Sequence, residues 1–292
     1  MKIIGKILGI NTSDNMINLL IVDKDAIQWN IKTEAVEQFT VGYVYVFEVQ
    51  QIVGERVSYQ LINYTSLNSL PMEQADEILR SFYPQAPVSL KEAQSIVYQV
   101  IADMKNQVVQ DITKSLIDKF SFPYFLYPAA TKMHHTYVGG LAYHSIGMLK
   151  LAKAFIDNYP YLNKDYLYAG ILLHDLGKTR ELSGVQASEY TLDGQLLGHL
   201  VIGALEISKM AERLGYSEAK EVKALEHMLI SHHGQPQFGA AKRPMTPEAV
   251  ALWYIDTVDS KFRVLGEELE KTKSSHFTDT IGVLDKIKIY KE

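Results

Sequence analysis

The sequence contains no cysteine, which excludes disulfide bonds and thiolate metal sites. Any metal ion must therefore be held by nitrogen and oxygen ligands. The sequence also lacks an uninterrupted apolar run of the roughly 20 residues that a membrane-spanning helix requires. Its N-terminal segment, interrupted by Lys6, does not predict a signal peptide. These absences predict a cytoplasmic protein that makes no use of a membrane.

The chain also has no excess of positive charge, because 34 acidic residues outnumber 29 Lys and Arg for a formal net charge of −5. Binding of nucleic acid over a whole surface requires clustered basic side chains, so any polyanion is expected to bind locally. With 292 residues, of which 47% are hydrophobic, the composition is that of a folded protein with two domains.

Residues 1–68 have the pattern of short strands separated by Asn, Asp, Gly and Ser. Strands are predicted over 3–10, 16–22, 27–31, 41–53 and 57–64, which favours a small all-β barrel of the oligonucleotide-binding (OB) type. Its acidic residues outnumber its basic ones: Asp14, Asp23, Asp25, Glu34, Glu37, Glu48 and Glu55 against Lys2, Lys6, Lys24, Lys32 and Arg56. A nucleic-acid-binding role and a structural role, including formation of a homo-oligomer, both stay open for this barrel.

Residues 69–292 have helical periodicity and predict an all-α bundle. A capping box at Ser89 predicts a long helix toward Phe120, and the aromatic, proline-containing segment 120–128 predicts a loop. Further helices are predicted over 137–157, 164–176, 198–214, 218–231 and 247–271, and a strand over 281–290. The boundary signals are N-caps at Asn163, Ser217 and Thr246 and a stop at Gly215.

Eight of the nine histidines lie between positions 134 and 233. His174 and Asp175 directly follow the apolar run Ile171-Leu172-Leu173, where an imidazole and a carboxylate are costly to bury unless they are paired or metal-bound. His144 lies thirty residues upstream, on a helix expected to pack beside this segment. The pattern therefore favours a metal site over isolated structural histidines.

At this point the sequence resembles the HD-domain metal-dependent phosphohydrolases, in the order His144, His174-Asp175 and Asp256. The additional His199 and His232-His233 are similar to the HD subgroup that holds a second metal ion. Most of all the chain resembles the YhaM-type 3′–5′ exoribonucleases, an OB fold followed by an HD domain. The stretches that carry this resemblance are Tyr127–Lys132, His134-His135, Gly139–Leu141, His174–Lys178, Gly194–His199, Ser231–Gly234 and Tyr254–Asp256.

The resemblance implies a ligand set and a reaction. It implies one metal ion held by His144, His174, Asp175 and Asp256, and a second held by His199, His232 and His233 with Asp175 bridging. Manganese is expected in these sites, and iron, cobalt or zinc would also suit such ligands. The expected reaction is removal of nucleoside monophosphates from the 3′ end of single-stranded RNA, and of single-stranded DNA as an alternative, by a hydroxide that two metal ions activate.

Other residues are candidates for catalysis or substrate binding. Lys178 follows the His-Asp pair and is expected to act with Asp175 by neutralising a phosphate oxygen, or else to be a solvated cation at a helix end. His134 and His135 are predicted to contact substrate or to stabilise a loop. Lys242 and Arg243 are predicted to steer a polyanion, or else to form an exposed basic loop. Asp259 is expected to accept a hydrogen bond from a ligand.

Two alternatives to the exoribonuclease are kept. One is an HD phosphohydrolase or phosphodiesterase acting on a small or cyclic nucleotide, in which the acidic barrel would be regulatory or oligomerising. The other is a nucleic-acid-binding protein with a vestigial site. The loss of any metal-ligating residue from the sequence would favour this alternative. All seven ligand positions are occupied by His or Asp.

Overall fold

The structure, a computed structural model, describes residues 1–13, 16–34, 39–52, 58–129, 137–185 and 189–292. It divides into two compact units, Met1–Gln85 and Ala86–Glu292. The first unit extends beyond the boundary predicted after residue 68, because it includes a helix that follows the barrel. Among the described residues, no helix combines the length and apolar character needed to cross a membrane.

The first unit is a closed five-stranded barrel with strand order β1-β2-β3-β5-β4. Its strands are β1 Lys2–Ser13, β2 Met16–Val22, β3 Gln28–Thr33, β4 Val44–Ile52 and β5 Ser58–Ser66. Neighbouring strands are antiparallel except for the parallel pair β3–β5, which closes the barrel at Ile31 and Tyr59. Inward-facing side chains at period two build its core, including Ile7, Leu19, Ile31 and Phe47.

The barrel is followed by a 3₁₀ turn at Leu67–Ser69 and by helix α1, Met72–Arg80. Just beyond α1, the Tyr83 hydroxyl donates to the carbonyl oxygen of Gly42 at 2.5 Å, which fixes this segment to the barrel. The predicted barrel is confirmed. Asp14, Glu37, Glu55 and Arg56, which entered its charge balance, lie outside the described residues.

The second unit is helical, as predicted. Its helices are α2 Leu90–Ala102, α3 Gln107–Lys119, α4 Ser121–Leu126, α5 Gly140–Asn158, α6 Lys164–Leu173, α7 Lys178–Glu181, α8 Leu192–Leu196, α9 Gly198–Leu214, α10 Lys220–Ser231 and α11 Pro247–Lys271. Helix α6 packs against α3, α5, α10 and α11, so it lies at the centre of the bundle. Its apolar residues, among them Leu167, Ile171, Leu172 and Leu173, are almost completely buried.

The long helix predicted from Ser89 toward Phe120 is wrong, because the chain forms α2 and α3 with a break between them. At the break, the Asp165 carboxylate accepts hydrogen bonds from the backbone N–H groups of Lys105 and Asn106, each at 2.7 Å. The Asn106 side chain then caps α3 by accepting from the N–H of Val109. A carboxylate sixty residues away thus provides the bonds that a continuous helix would have made.

Three smaller predictions are also wrong. The segment 120–128, which was expected to be a loop, contains helix α4. Pro123 is tolerated as the third residue of α4, because the backbone N–H groups in the first turn of a helix have no partner within the helix. The N-cap of α10 is Ala219 rather than Ser217. The strand expected over 281–290 is mostly a 3₁₀ turn, Gly282–Leu284, and loop; only β7, Tyr290–Lys291, pairs with β6, His276–Phe277.

Candidate metal centre

The helical unit brings together the seven residues predicted to bind metal. His144 lies near the start of α5, His174-Asp175 directly follow α6, His199 is the second residue of α9, His232-His233 follow α10, and Asp256 lies within α11. Gly177 permits this convergence, since a Cβ there would lie 2.0 Å from the carbonyl oxygen of His199. The turn after α6 can therefore touch the start of α9 only with glycine at this position.

Three of the histidines are fixed through their Nδ1 atoms to backbone carbonyls. Nδ1 of His174 donates to Ile171 O at 2.8 Å, that of His232 to Leu229 O at 2.7 Å, and that of His233 to Phe238 O at 2.7 Å. A carbonyl can only accept, so the proton must be on Nδ1. In the neutral form of each ring, Nε2 is then the unprotonated nitrogen and can bind a metal ion.

Among the residues that the structure describes, the buried Nε2 atoms of His174, His199 and His232 find no hydrogen-bond partner. Buried polar atoms in native proteins nearly always have one, because an unsatisfied atom costs free energy. Three such lone pairs in one cluster fit a metal ion as the absent partner. This is the observation that makes the cluster a candidate metal centre.

The donor atoms form two groups. His144, His174 and Asp256 form one, and His199, His232 and His233 form the other; within each group the donor atoms lie within 4.8 Å of one another. Asp175 lies between them. Its Oδ2 is 3.3 Å from Nε2 of His174, and its Oδ1 is 3.5 Å from Nε2 of His199 and 3.9 Å from Nε2 of His232. One carboxylate oxygen thus faces each group.

His144 and His199 are fixed by carboxylates instead of carbonyls. Nδ1 of His144 is 2.8 Å from Oδ2 of Asp259, which also accepts from Nε of Arg263 at 2.8 Å. Nδ1 of His199 is 3.1 Å from Oε1 of Glu181. Asp259 therefore occupies the place expected from the sequence. Glu181 and Arg263 were not predicted, and the only signal in the sequence is an acidic residue at position 181, between the ligand pair His174-Asp175 and the ligand His199.

The pKa values of the cluster follow from burial and from these contacts. Burial lowers the pKa of His232 well below its usual value, and the neighbouring His174 and His233 lower it further. Burial raises the pKa of Asp175, but Lys178 and His174 outweigh that effect and hold it well below the usual range. Neutral imidazole and ionised carboxylate are the protonation states that metal ligands need.

His144 behaves differently from the other histidines. Burial opposes a positive charge on its ring, but the hydrogen bonds to Asp256 and Asp259 outweigh burial and raise its pKa to about 9. Nε2 of His144 lies 3.1 Å from Oδ1 of Asp256. A metal ion bound to Nε2 of His144 would therefore have to displace the proton that this raised pKa favours.

The remaining predicted site residues have different positions. Nζ of Lys178 donates to Oδ2 of Asp175 at 2.7 Å and to Ala129 O at 2.8 Å, so this lysine touches the central carboxylate. Lys242 and Arg243 are exposed in the segment that follows His233. His134 and His135 lie outside the described residues, and their role in substrate binding stays a prediction.

Comparison with known proteins places this cluster in a family context. The HD domain family matches residues 141–261. The 3′-5′ exoribonuclease YhaM of Geobacillus sp. (strain WCH70) is 42% identical over 251 residues, covering 85% of this chain and 77% of the relative. The YhaM enzyme of Bacillus licheniformis is 40% identical over 271 residues, covering 92% and 84%. That of Bacillus subtilis (strain 168) is 40% identical over 245 residues, covering 83% and 78%. No solved structure gave a significant match.

Proposed function

The chain belongs to the YhaM family of 3′–5′ exoribonucleases, metal-dependent hydrolases with an HD domain, and from this premise we propose how its site works. The substrate is single-stranded RNA, shortened from its 3′ end with release of nucleoside monophosphates. The observation that supports the proposal is the set of buried Nε2 atoms of His174, His199 and His232 around Asp175, for which the described part of the chain offers no hydrogen-bond partner.

Two divalent ions would occupy the two donor groups. His144, His174 and Asp256 would hold one ion, and His199, His232 and His233 the other. Asp175 would contribute one oxygen to each, since its two oxygens face different groups. Manganese is our first choice of metal because nitrogen and oxygen donors suit it, and iron, cobalt and zinc suit the same donors.

When bound, the ions would supply Lewis acidity and lower the pKa of a water molecule. Water then adds to the phosphorus of the last phosphodiester, the bond to the 3′ oxygen of the preceding nucleotide breaks, and that oxygen takes up a proton. Lys178 keeps Asp175 ionised and places a positive charge beside the reacting phosphate. The exposed Lys242 and Arg243 add positive charge after His233, which attracts a polyanion.

Single-stranded DNA is a second proposed substrate, because the same bond is broken. For the barrel we keep two roles, a surface for the nucleic acid strand and a contact for forming a homo-oligomer. An enzyme acting on a small or cyclic nucleotide would use the same donor atoms, so the choice of substrate requires a direct test.

The test is a sequencing gel of RNA labelled at its 5′ end and incubated with the protein and Mn²⁺. The proposal predicts a ladder that shortens from the 3′ end and is absent with Asp175→Ala. Asp157→Ala, which changes an exposed carboxylate on α5, is the matched control and should cleave normally. If the RNA stays intact while elemental analysis finds the protein loaded with metal, the exoribonuclease proposal is wrong and small nucleotides become the substrates to test.

A further inference from the structure

The segment that follows α11 is basic, although the chain as a whole is acidic. Residues 272–292 contain four lysines and three acidic residues, whereas acidic side chains outnumber basic ones by five in the full sequence. The segment also contains Phe277 and Tyr290. It lies beyond residue 261, where the match to the HD domain ends. Nothing in the metal centre accounts for this composition.

The segment forms a hairpin with a fixed position on α11. Its two arms are joined by backbone hydrogen bonds from Ser275 N to Lys291 O at 2.8 Å and from Thr278 N to Ile289 O at 2.9 Å. Nζ of Lys291 donates to the carbonyls of Leu269 at 2.6 Å and Thr272 at 2.8 Å. These carbonyls belong to the end of α11, where a cation is favourable. The hairpin is therefore attached to the helix that carries Asp256.

The outer surface of the hairpin combines two aromatic rings with free lysines. Phe277 is 64% exposed and Tyr290 is 49% exposed; they pair across the two strands, with ring centroids 5.3 Å apart. Lys288 precedes Tyr290 by two residues, so in extended backbone both side chains lie on one face. In the part of the chain that the structure describes, no ion pair involves Lys286 or Lys288, and both are exposed.

We propose that this hairpin is a second binding site for single-stranded RNA. Bases would stack on Phe277 and Tyr290, while Lys286 and Lys288 contact the phosphates of the same strand. Aromatic rings stack with any base, so the site would not select sequence, as an enzyme that removes successive nucleotides requires. The inference rests on the proposed function in one respect: the strand bound here is the substrate whose 3′ end enters the metal centre.

The position of the hairpin predicts how long that strand must be. Leu269, which Lys291 contacts, follows Asp256 by thirteen residues in α11, which corresponds to about 20 Å along the helix. At roughly 3.4 Å for each stacked nucleotide, a strand needs about six nucleotides to cover this distance. A dinucleotide can therefore reach the metal centre without reaching the hairpin.

The first experiment measures binding. The full-length Asp175→Ala protein, which is expected to leave RNA intact, is titrated with a labelled oligoribonucleotide of roughly 12 residues, about twice the length needed to cover the helix distance. Phe277→Ala with Tyr290→Ala should weaken binding about tenfold, and Tyr290→Phe, which keeps the ring, should not. Lys286→Gln with Lys288→Gln should reduce the slope of log affinity against log salt by about 0.7 for each lost phosphate contact.

Matched controls come from the same unit. Tyr159 and Tyr161 are another exposed ring pair, with centroids 6.0 Å apart, and Lys220 and Lys223 are exposed lysines. Changing these residues in the same way should leave affinity and salt slope unchanged. If the hairpin variants bind RNA as the parent does, or no more weakly than the control variants, the hairpin is not an RNA site and the inference is overturned.

The second experiment separates this inference from the proposed function. In the otherwise unchanged enzyme, the ring and lysine variants should raise KM about tenfold for the long RNA, with kcat retained, and leave dinucleotide hydrolysis and metal content unchanged. An equal loss of kcat/KM for the long RNA and for the dinucleotide would overturn the inference, because the effect would then lie in the metal centre. If instead the proposed function is wrong, the parent protein will cleave neither the long RNA nor the dinucleotide, while the hairpin variants will still bind RNA more weakly than the parent does.

Discussion

Oε1 of Glu181 lies 3.1 Å from both the backbone nitrogen and Nδ1 of His199. One carboxylate oxygen therefore fixes the start of α9 and the orientation of the imidazole on it. The proton on Nδ1 leaves the buried Nε2 of His199 free to face Asp175. Glu181 itself is placed by α7, a single turn between the ligand pair that follows α6 and the ligand that begins α9.

We expect Glu181→Ala to weaken binding of the ion at His199, His232 and His233 by 10- to 100-fold, roughly the usual effect of losing a ligand's hydrogen-bond partner. Glu181→Gln keeps an acceptor oxygen and should lose less affinity for this ion. Calorimetric titration of the metal-free protein with Mn²⁺ would resolve the two sites. Glu212→Ala, an exposed residue of α9, is the control. Unchanged affinity in Glu181→Ala would contradict this role for Glu181.

The other donor group has its own carboxylate, and the two can be tested against each other. Oδ2 of Asp259 accepts from both His144 and Arg263. Asp259→Ala should therefore weaken binding of the ion at His144, His174 and Asp256, while the second donor group keeps its affinity for metal. The same titration measures both sites, and elemental analysis should find about one ion per chain at limiting metal. Equal weakening of both sites would contradict the assignment of Asp259 to the group of His144, His174 and Asp256.

Metal removal should destabilise the helical unit. Chelation leaves the buried Nε2 atoms of His174, His199 and His232 without partners, and metal bound only by the folded state stabilises it by about 2.7 kcal/mol per site at 100 times the dissociation constant. Scanning calorimetry with and without EDTA should therefore show a lower Tm for the metal-free protein, restored by Mn²⁺. A Tm that is the same in both conditions would contradict the metal assignment.

The parts of this structure that the sequence predicts are those determined by local patterns. Strand alternation predicts the barrel, and capping residues such as Asn163 and Thr246 define helix starts that the structure reproduces. The break between α2 and α3 could not be predicted in this way, because the local sequence continues a helical pattern and the Asp165 carboxylate that ends it is distant in the chain. Glu181 was missed for a related reason, since its role depends on where α9 begins.

The Asp165 contact leads to a prediction about stability alone. Its Oδ2 accepts two backbone N–H groups at the break in partly buried hydrogen bonds, and a hydrogen bond to a charged group contributes about 1.5–3 kcal/mol. Asp165→Ala should lower the free energy of unfolding by at least about 2 kcal/mol on this estimate, measured by urea titration with metal present. Asp111→Ala on α3 also removes a carboxylate, but among the described residues that carboxylate accepts hydrogen bonds from the side chains of Gln107 and Tyr216, so its loss should cost less. Metal stoichiometry should stay the same in both variants.

Gly177 provides a test of how closely the two halves of the centre are packed. Gly177→Ala would place a Cβ 2.0 Å from the carbonyl oxygen of His199, so the turn carrying Asp175 and the start of α9 must move apart. We expect a loss of about 1–3 kcal/mol in stability, as for other overpacked sites, together with weaker binding of the ion near His199.

Gly266→Ala is the matched control for Gly177→Ala. Gly266 lies in α11, where an added Cβ meets nothing within 4 Å, so the change should be neutral or stabilise the helix by up to about 1 kcal/mol. The comparison is made by thermal unfolding and metal titration of both variants. Because both add one methyl group, a difference between them reports on the contact at His199. Equal stability and equal metal affinity would mean that the turn after α6 and the start of α9 can separate without cost, and that their close approach does not fix the geometry of the centre.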